Sequence, residues 1–406
     1  MKTESKVLLP FKIDYNLCTG CMACVTSCNK SAIEIVQDKE GFAFPKYDNT
    51  KCIKCGLCEK ACPIVNRDRQ QRHDLKNADG KLAVLLDKNN LLNSASGGAF
   101  FGIASYVINK GGVVYGAAFD KSFTVRHIRV ENQADLSLLQ NSKYVQSDIG
   151  LIYRDLLKDL KEGRQCLFSG TPCQIAGLYG FLKKDFENLI TMEIICHGVP
   201  SPKLLEMEIL NRCIGHNALK QVRFRTKGKH TRSNFILKFE FQNKKVELYD
   251  KKYDLYYRLF LSCLAFRESC YHCSFASPYR VGDFTIGDND SWNNYKDFHP
   301  ETSNSTIFVH TAKAKRIWDE CCASFDFCTL DIAKEAERNK QLTHPSERPV
   351  TRDTIYQQIN EEGWNSVYHK YCKRMNWLSK FKLLLMVNVP CKLMAVIAGF
   401  KKKMSM

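Results

Sequence analysis

Two stretches, CTGCMACVTSC (residues 18–28) and CIKCGLCEKAC (52–62), repeat the spacing C-x2-C-x2-C-x3-C. Three thiolates on one tight loop can hold three corners of a four-iron cubane, while the fourth cysteine of each run reaches the other cluster. On that logic Cys18, Cys21, Cys24 and Cys62 hold one 4Fe-4S cluster, and Cys52, Cys55, Cys58 and Cys28 hold a second. Gly20 and Gly56 suit the turns such loops need. Ala23 and Leu57 are small apolar residues that can pack on a cluster. The second run ends Cys62-Pro63 and the first Cys28-Asn29; the proline shapes an exit turn and is not a ligand, so both clusters are expected. A zinc ribbon or a disulfide knot is the competing reading. Zinc favours paired C-x2-C modules, and two complete four-cysteine runs carry a surplus, so the expected chemistry is electron transfer.

A third group of cysteines is scattered. Cys173 and Cys196 each follow a strand pattern, in loops leading to helices that open Thr-Pro and Ser-Pro, and Cys270 and Cys273 form a C-x2-C pair. Loops at the carboxyl ends of parallel strands converge on one crevice, so these four thiolates suffice for one more cluster. For Cys173 a redox thiol, a nucleophile and an inert core residue are the alternatives. A helix start lowers a thiol's pKa and favours nucleophile and ligand alike, and His272 or Cys263 could replace one of the four ligands. Cys166, Cys213, Cys263, Cys321, Cys322, Cys328, Cys372 and Cys391 sit mostly in apolar or helical text and read as core thiols.

The elements that must position these groups begin after a polar stretch, 67–80, read as a linker between a cysteine-rich segment 1–66 and the rest. KLAVLL, VVYGAAF, QCLF and LITMEII read as strands, and SGGAFFGIASYVI, CQIAGLYGFL and PKLLEMEIL as helices. VRFRTKGKHTRSNFILKFEFQNKKVELY reads as antiparallel strands. The remaining segments are 81–160, 161–335 and a basic tail, 336–406. From Tyr371 onward there are eight Lys/Arg and no Asp or Glu. The apolar text 383–400 is broken by Asn388, Pro390 and Lys392, a poor spanning helix and a better surface-lying one, or a helix docked on its own domain.

The chain has 406 residues, 20 cysteines and a formal charge of +17. The start MKTESKVLLPFKID lacks an apolar signal core, so a cytoplasmic protein, peripheral to the inner membrane face through its tail, is expected. Many cysteines without export point to metal or redox chemistry rather than disulfides. The basic charge suits an acidic carrier such as ferredoxin, a phosphate-bearing cofactor or an anionic membrane. No helix-turn-helix, RNA-binding aromatic motif or zinc-finger spacing supports nucleic acid.

Ser96, Gly97 and Gly98 occupy a strand-to-helix turn whose bare N–H groups suit a phosphate, and SKYVQS supplies Ser142, Lys143, Tyr144, Gln146 and Ser147. SGGAF, SKYVQS, LFSGTPCQIAGL, ICHGVPSP, FRESCYHC and RVGDFTIGD follow one another behind the two-cluster segment. Over roughly residues 10–335 this order resembles the beta-subunit family of coenzyme F-420-reducing hydrogenases and dehydrogenases, which includes ferredoxin-driven 7-hydroxymethyl chlorophyll a reductases.

The resemblance implies an α+β ferredoxin-like two-cluster module followed by an α/β flavin-binding domain with parallel strands and an antiparallel insertion. It implies FAD and a further cluster close to the flavin, and it supports Cys173, Cys196, Cys270 and Cys273 as that cluster's ligands. Gly170 and Thr171 join the cofactor-binding set, Lys143 serves as phosphate or flavin partner, and His197 as proton donor. A solvated lysine and a loop-capping histidine stand against the last two roles. Family members reduce a deazaflavin, a chlorophyll derivative or other compounds, and many bacterial ones resemble accessories of surface-polysaccharide pathways. A non-catalytic electron-transfer subunit of a larger complex is the alternative. After DFTIG, relatives continue with an acidic residue, a bulky one and Trp-Gly; here DNDSWNNY displaces Trp292 and lacks the glycine.

Overall fold

A computed structural model describes residues 7–8, 13–67, 72–214, 218–228, 235–299 and 301–389. Cys391 and the end of the basic tail lie outside the described residues, as does the turn 229–234. Each N-terminal cysteine run enters a short helix, Ala23–Ser27 and Leu57–Ala61, through a left-handed residue, Met22 (φ 59°) and Gly56 (φ 71°). Between them Ile33–Gln37 and Ala43–Tyr47 pair antiparallel.

Eight strands form the central sheet: β1 (Asp79–Leu85), β2 (Val113–Phe119), β3 (Val125–Val130), β4 (Cys166–Gly170), β5 (Leu189–Ile194), β6 (Phe284–Asp288), β7 (Ser305–Val309) and β8 (Phe325–Thr329). Their spatial order is β8-β1-β7-β6-β5-β4-β2-β3. β6, β5, β4 and β2 are mutually parallel, and the pairs outside them are antiparallel. The sheet is therefore mixed rather than built of parallel strands alone. β7 returns antiparallel between β6 and β1, which leaves β1 running with the parallel set, so five strands end on one side. The central strands are buried on both faces, as the near-continuous apolar text of LITME requires.

Helix α1 (Ala99–Asn109) covers one face, where Ile103, Ala104 and Val107 pack with Trp318 and the sheet residues Val84, Leu167 and Ile190. On the other face lies α2 (Pro172–Leu182), whose Ile175, Ala176 and Leu178 share an apolar cluster with Cys21, Met22, Ala23 and Ala61 of the cysteine-rich segment. The antiparallel insertion forms a separate three-stranded sheet, Leu219–Arg223, Leu237–Phe241 and Val246–Tyr249. It shares a second core with Phe42 and Phe44 and with Ile355, Tyr356, Ile359 and Trp364 of the C-terminal helices. The residues read as a linker are partly built into the fold: His73–Asp74 pairs antiparallel with Tyr279–Arg280, and β1 starts at Asp79.

Helix α3 (Trp377–Asn388) ends the described chain, and among the described residues no helix is long and apolar enough to cross a membrane. Trp377, Leu378, Phe381 and Leu384 are all exposed, and their spacing puts them on one side of that helix.

Two glycines of α2 set its distance from the N-terminal segment. A Cβ on Gly177 would lie 2.9 Å from Cys21 Sγ, and one on Gly180 would lie 2.3 Å from the Ala61 carbonyl oxygen. Since that second contact is with backbone, it cannot be relieved by a rotamer change. Gly180→Ala is therefore expected to push the segment off α2 at a cost of about 1–3 kcal/mol. Differential scanning calorimetry should register a lower Tm, with faster proteolysis between residues 67 and 72 than in the unsubstituted protein.

Candidate functional site

The strand ends converge on one cavity of about 590 Å³, within the size range of small-molecule and cofactor sites. It is lined by Gly170–Gln174 after β4, Ile195–Val199 after β5, Gly287 and Asp288 of β6, Ser94–Ser96 with Gly98–Phe100, and Leu139–Ser147. Ser96, Gly98, Ser142, Lys143, Tyr144, Gln146, Ser147, Gly170, Thr171 and His197 all line it, as do Cys173, Cys196, Cys270 and Cys273. Gly97 does not, and its reason for being glycine is packing. A Cβ there would meet the Ala83 carbonyl at 2.3 Å and the Ser305 amide at 2.4 Å, because the loop is wedged against β1 and β7.

The cysteines gather in three groups. Cys21 and Cys24 both interact with Cys18 and Cys62, and these four ring a small cavity walled by Ile13, Met22, Pro45, Pro63 and Ile64. Cys58 interacts with Cys28 and Cys55, and the Tyr47 hydroxyl with Cys52, Cys58 and Cys28. Cys270 interacts with Cys196, Cys273 and Cys173. Among the described residues no group of three or more His, Cys, Asp or Glu converges on the coordination sphere of a single ion; a cubane instead holds its thiolates apart at its corners. Cys263 also lines the cavity, but its neighbours are Ser346 and Lys251, and His272 lies 3.6 Å from Glu268, half exposed. Neither joins the third group.

Burial pushes the Cys173 thiol up to about 11 and Cys196 up to about 12, with neighbouring thiols adding to the shift. The helix start and the Thr171 hydroxyl, 3.1 Å from Cys173 Sγ, oppose this without overcoming it. An activated nucleophile requires the reverse shift. Half-buried thiols that raise one another's pKa are suited to a cationic metal group, which deprotonates what it binds.

Several of the polar side chains are held by the protein itself. Lys143 Nζ donates to the carbonyls of Leu138 (3.0 Å) and Gln140 (2.8 Å), and burial lowers its pKa to about 7. Tyr144 stacks on Phe260 at 3.9 Å between ring centroids. The Ser96 hydroxyl donates to the Asn304 carbonyl at 2.6 Å. Gln146 donates to the Thr19 carbonyl and accepts from Arg267, whose guanidinium also donates to the carbonyls of Cys18 (2.6 Å) and Ala43 (3.1 Å) and sits over Phe44. The first cysteine loop is thereby tied to the cavity wall.

A buried chain of hydrogen bonds locks SKYVQS to the start of α2. Gln174 Oε1 accepts from the Thr171 amide and its Nε2 donates to Ser147 Oγ, 2.9 Å away. The His127 ring stacks on Phe168 and lies 3.1 Å from that hydroxyl through Nδ1 and 3.0 Å from the Ser169 carbonyl through Nε2. A carbonyl can only accept, so Nε2 carries the proton and Nδ1 accepts from Ser147.

His127, Arg225, Asp288, Asp290 and Arg280 are cavity-side residues that sequence reasoning missed. Arg280 and Asp288 stood inside the RVGDFTIGD motif, whereas Arg225 sits in a strand-edge run with no distinguishing pattern. Burial raises the Asp288 carboxyl, but the Arg225 guanidinium at 2.5 Å and the Ser96 hydroxyl outweigh it and hold it below the usual range. At Asp290 the pull of Arg225 is outweighed: burial, then Glu335 and Asp288, push it up to about 6. Burial holds His197 below its ordinary pKa.

Fold and site define an iron–sulfur electron-transfer protein of the oxidoreductase class with a ligand-sized cavity on a mixed sheet. Residues 17–65 match the 4Fe-4S dicluster domain, and residues 163–334 match the C terminus of the coenzyme F420 hydrogenase/dehydrogenase beta subunit. The chain thus carries a 4Fe-4S-binding module followed by a stretch related to the C-terminal part of that beta subunit. Among solved structures it is similar to a chain described under "Xenon derivatization of the F420-reducing [NiFe] hydrogenase complex from Methanosarcina barkeri", at 16% identity and a TM-score of 0.45, covering 72% of this chain and 94% of that one. No curated protein matches the chain.

Burial depresses His127 from 6.5 to about 4, so the unfolded chain binds the extra proton first. The stability this contributes is present above about pH 6.5 and is lost as pH falls toward 4, by at most about 1.4 kcal/mol per pH unit. In urea unfolding between about pH 7 and about pH 5, the advantage of the unsubstituted protein over His127→Gln should narrow with acid; a constant gap would rule out this linkage.

Proposed function

We propose that the chain is an iron–sulfur flavoprotein oxidoreductase linking an acidic electron carrier, such as a ferredoxin, to a small-molecule or deazaflavin substrate. One observation carries this reading: a single cavity of about 590 Å³ is lined by four half-buried cysteines, a glycine-led helix start and the SKYVQS loop. Bound clusters would supply one-electron steps, and bound FAD would exchange an electron pair with the substrate. Cys18, Cys21, Cys24 and Cys62 would hold the inner cluster of the module, and Cys28, Cys52, Cys55 and Cys58 the outer one. Cys173, Cys196, Cys270 and Cys273 would hold a third. Segments 81–160 and 161–335 together form the flavin domain.

The chain's own residues divide the remaining work. Ser96, Gly98 and the start of α1 offer backbone N–H donors to a phosphate, with Ser142, Tyr144, Gly170 and Thr171 around the rest of the cofactor. Arg225 brings a fixed cation to the cavity, and Lys143, near pKa 7, gains charge when an anionic group arrives. Asp290, pushed up to about 6, borders the same space with a proton within exchange near neutral pH, and His197, held below its ordinary value by burial, faces it as a neutral imidazole that can accept one. Cys55 is exposed between the cations Lys54 and Lys60, a fitting approach for an acidic carrier.

Anaerobic reconstitution with iron, sulfide and FAD should give about twelve iron and one flavin per chain, falling by about four iron in Cys270→Ala. About eight iron in the unsubstituted protein would remove the third cluster, and no flavin would remove the cofactor reading. The same preparation should oxidise reduced viologen with coenzyme F-420 present. Silence with all cofactors bound would favour the alternative that the match of residues 163–334 to a beta subunit supports, an electron-transfer subunit of a larger complex.

A peripheral membrane position, on the inner face of a cytoplasmic membrane, rests on α3. Its exposed Trp377, Leu378, Phe381 and Leu384 stand beside Lys373, Arg374, Lys380 and Lys382, the pairing of an interfacial helix. Vesicles containing phosphatidylserine should float the protein, neutral vesicles much less, and Phe381→Glu should abolish flotation. Equal recovery in all three would end this reading.

A further inference from the structure

Arg280 opens the RVGD stretch just before β6 and is only 1% exposed. Its Nε donates to Glu193 Oε1 at 2.5 Å, and its Nη1 donates to the carbonyls of Phe275 and Ser277, both at 3.2 Å. Nη2 is buried and has no hydrogen-bond partner among the described residues. A buried guanidinium donor without an acceptor is rare enough to require an explanation.

Glu193 does not supply one. It is fully buried and already accepts from the Thr285 hydroxyl at 2.8 Å and from the amides of Val281 and Gly282, both at 3.2 Å. These contacts anchor one edge of the guanidinium to β5 and fix its plane. The edge left over belongs to a residue lining the cavity beside Cys196 and Cys273, and its charge acts on both thiols.

We propose that Arg280 is a positioning residue for the third cluster: it donates Nη2–H to a cluster or cysteine sulfur and raises the cluster's reduction potential. This rests on the reading that Cys173, Cys196, Cys270 and Cys273 hold that cluster. Four thiolates make a cubane site anionic, and one-electron reduction adds one further negative charge. A fixed cation and a sulfur-directed N–H therefore stabilise the reduced form more than the oxidised one. Glu193 is then an orienting group, keeping the guanidinium plane in place as a carboxylate orients a ligating histidine. An acceptor potential raised in this way favours electron flow from the ferredoxin-type module toward the cavity.

The test is a dithionite titration of the reconstituted holoenzyme followed by electron paramagnetic resonance. The unsubstituted protein is compared with Arg280→Met/Glu193→Gln, which removes both members of the ion pair so that no buried charge is stranded. Arg280→Lys, which keeps the charge and loses the fork, is the third sample. The third cluster's midpoint potential should fall in the double variant and fall less in Arg280→Lys, with the two ferredoxin-type signals unmoved. A third cluster that assembles with unchanged potential in both variants overturns the role of Arg280 and leaves the cluster reading intact. About eight iron and no third signal in the unsubstituted protein overturn the cluster reading itself. Should the double variant not fold, Arg280→Lys alone decides: an unchanged potential removes the sulfur-directed hydrogen bond.

Discussion

The close approach of α2 to the cysteine-rich segment is the constraint on which the rest depends. Gly177 and Gly180 lie one helical turn apart, and each yields the volume of a side chain to that segment, the first to Cys21 and the second to Ala61. The helix that presents Cys173 at its start therefore carries Cys21 against its flank. The missing side chains at these two positions are what let the helix and the segment meet. The apolar cluster shared by Cys21, Ala23, Ala61, Ile175 and Leu178 makes this contact part of the core rather than a surface encounter.

Arg267 completes the attachment from the opposite side. A buried guanidinium is costly unless its donors are satisfied, and here they reach two carbonyls of the N-terminal segment and Gln146 of the cavity wall. The ring faces of Phe44 and Phe42 cover the same cation. Tyr153 adds a third tie, with its hydroxyl at 3.1 Å from the Cys21 carbonyl and 2.9 Å from the Gln174 carbonyl. The SKYVQS loop is thus held between two networks, Gln146 to the N-terminal segment and Ser147 to His127 and α2.

Much of this was legible in the residues. The two cysteine runs declare their chemistry because cluster ligands must recur at loop spacing, and both runs gather as their spacing required. The strand–loop–helix text after residue 81 announced the crevice, since apolar runs flanked by glycine-rich turns have few other uses in a chain of this kind. Less legible were the antiparallel returns of β7 and β8, because an apolar run such as STIFV looks the same in either direction. The cavity's charged residues were hidden for a related reason. Arg225 and Asp288 are 63 positions apart and pair only after the three-stranded insertion folds back over the sheet.

The sequence by itself determined the kind of chemistry: eight cysteines in two runs specify iron–sulfur ligation locally, through spacing alone. Only the tertiary structure decided what surrounds Cys173. From its local text it was a thiol at a helix start, where the dipole favours a thiolate. In the fold it is half-buried beside Cys196, Cys270 and Cys273, and desolvation outweighs the hydrogen bonds of the helix start. Burial and the meeting of distant cysteines are properties of packing, which no local spacing encodes.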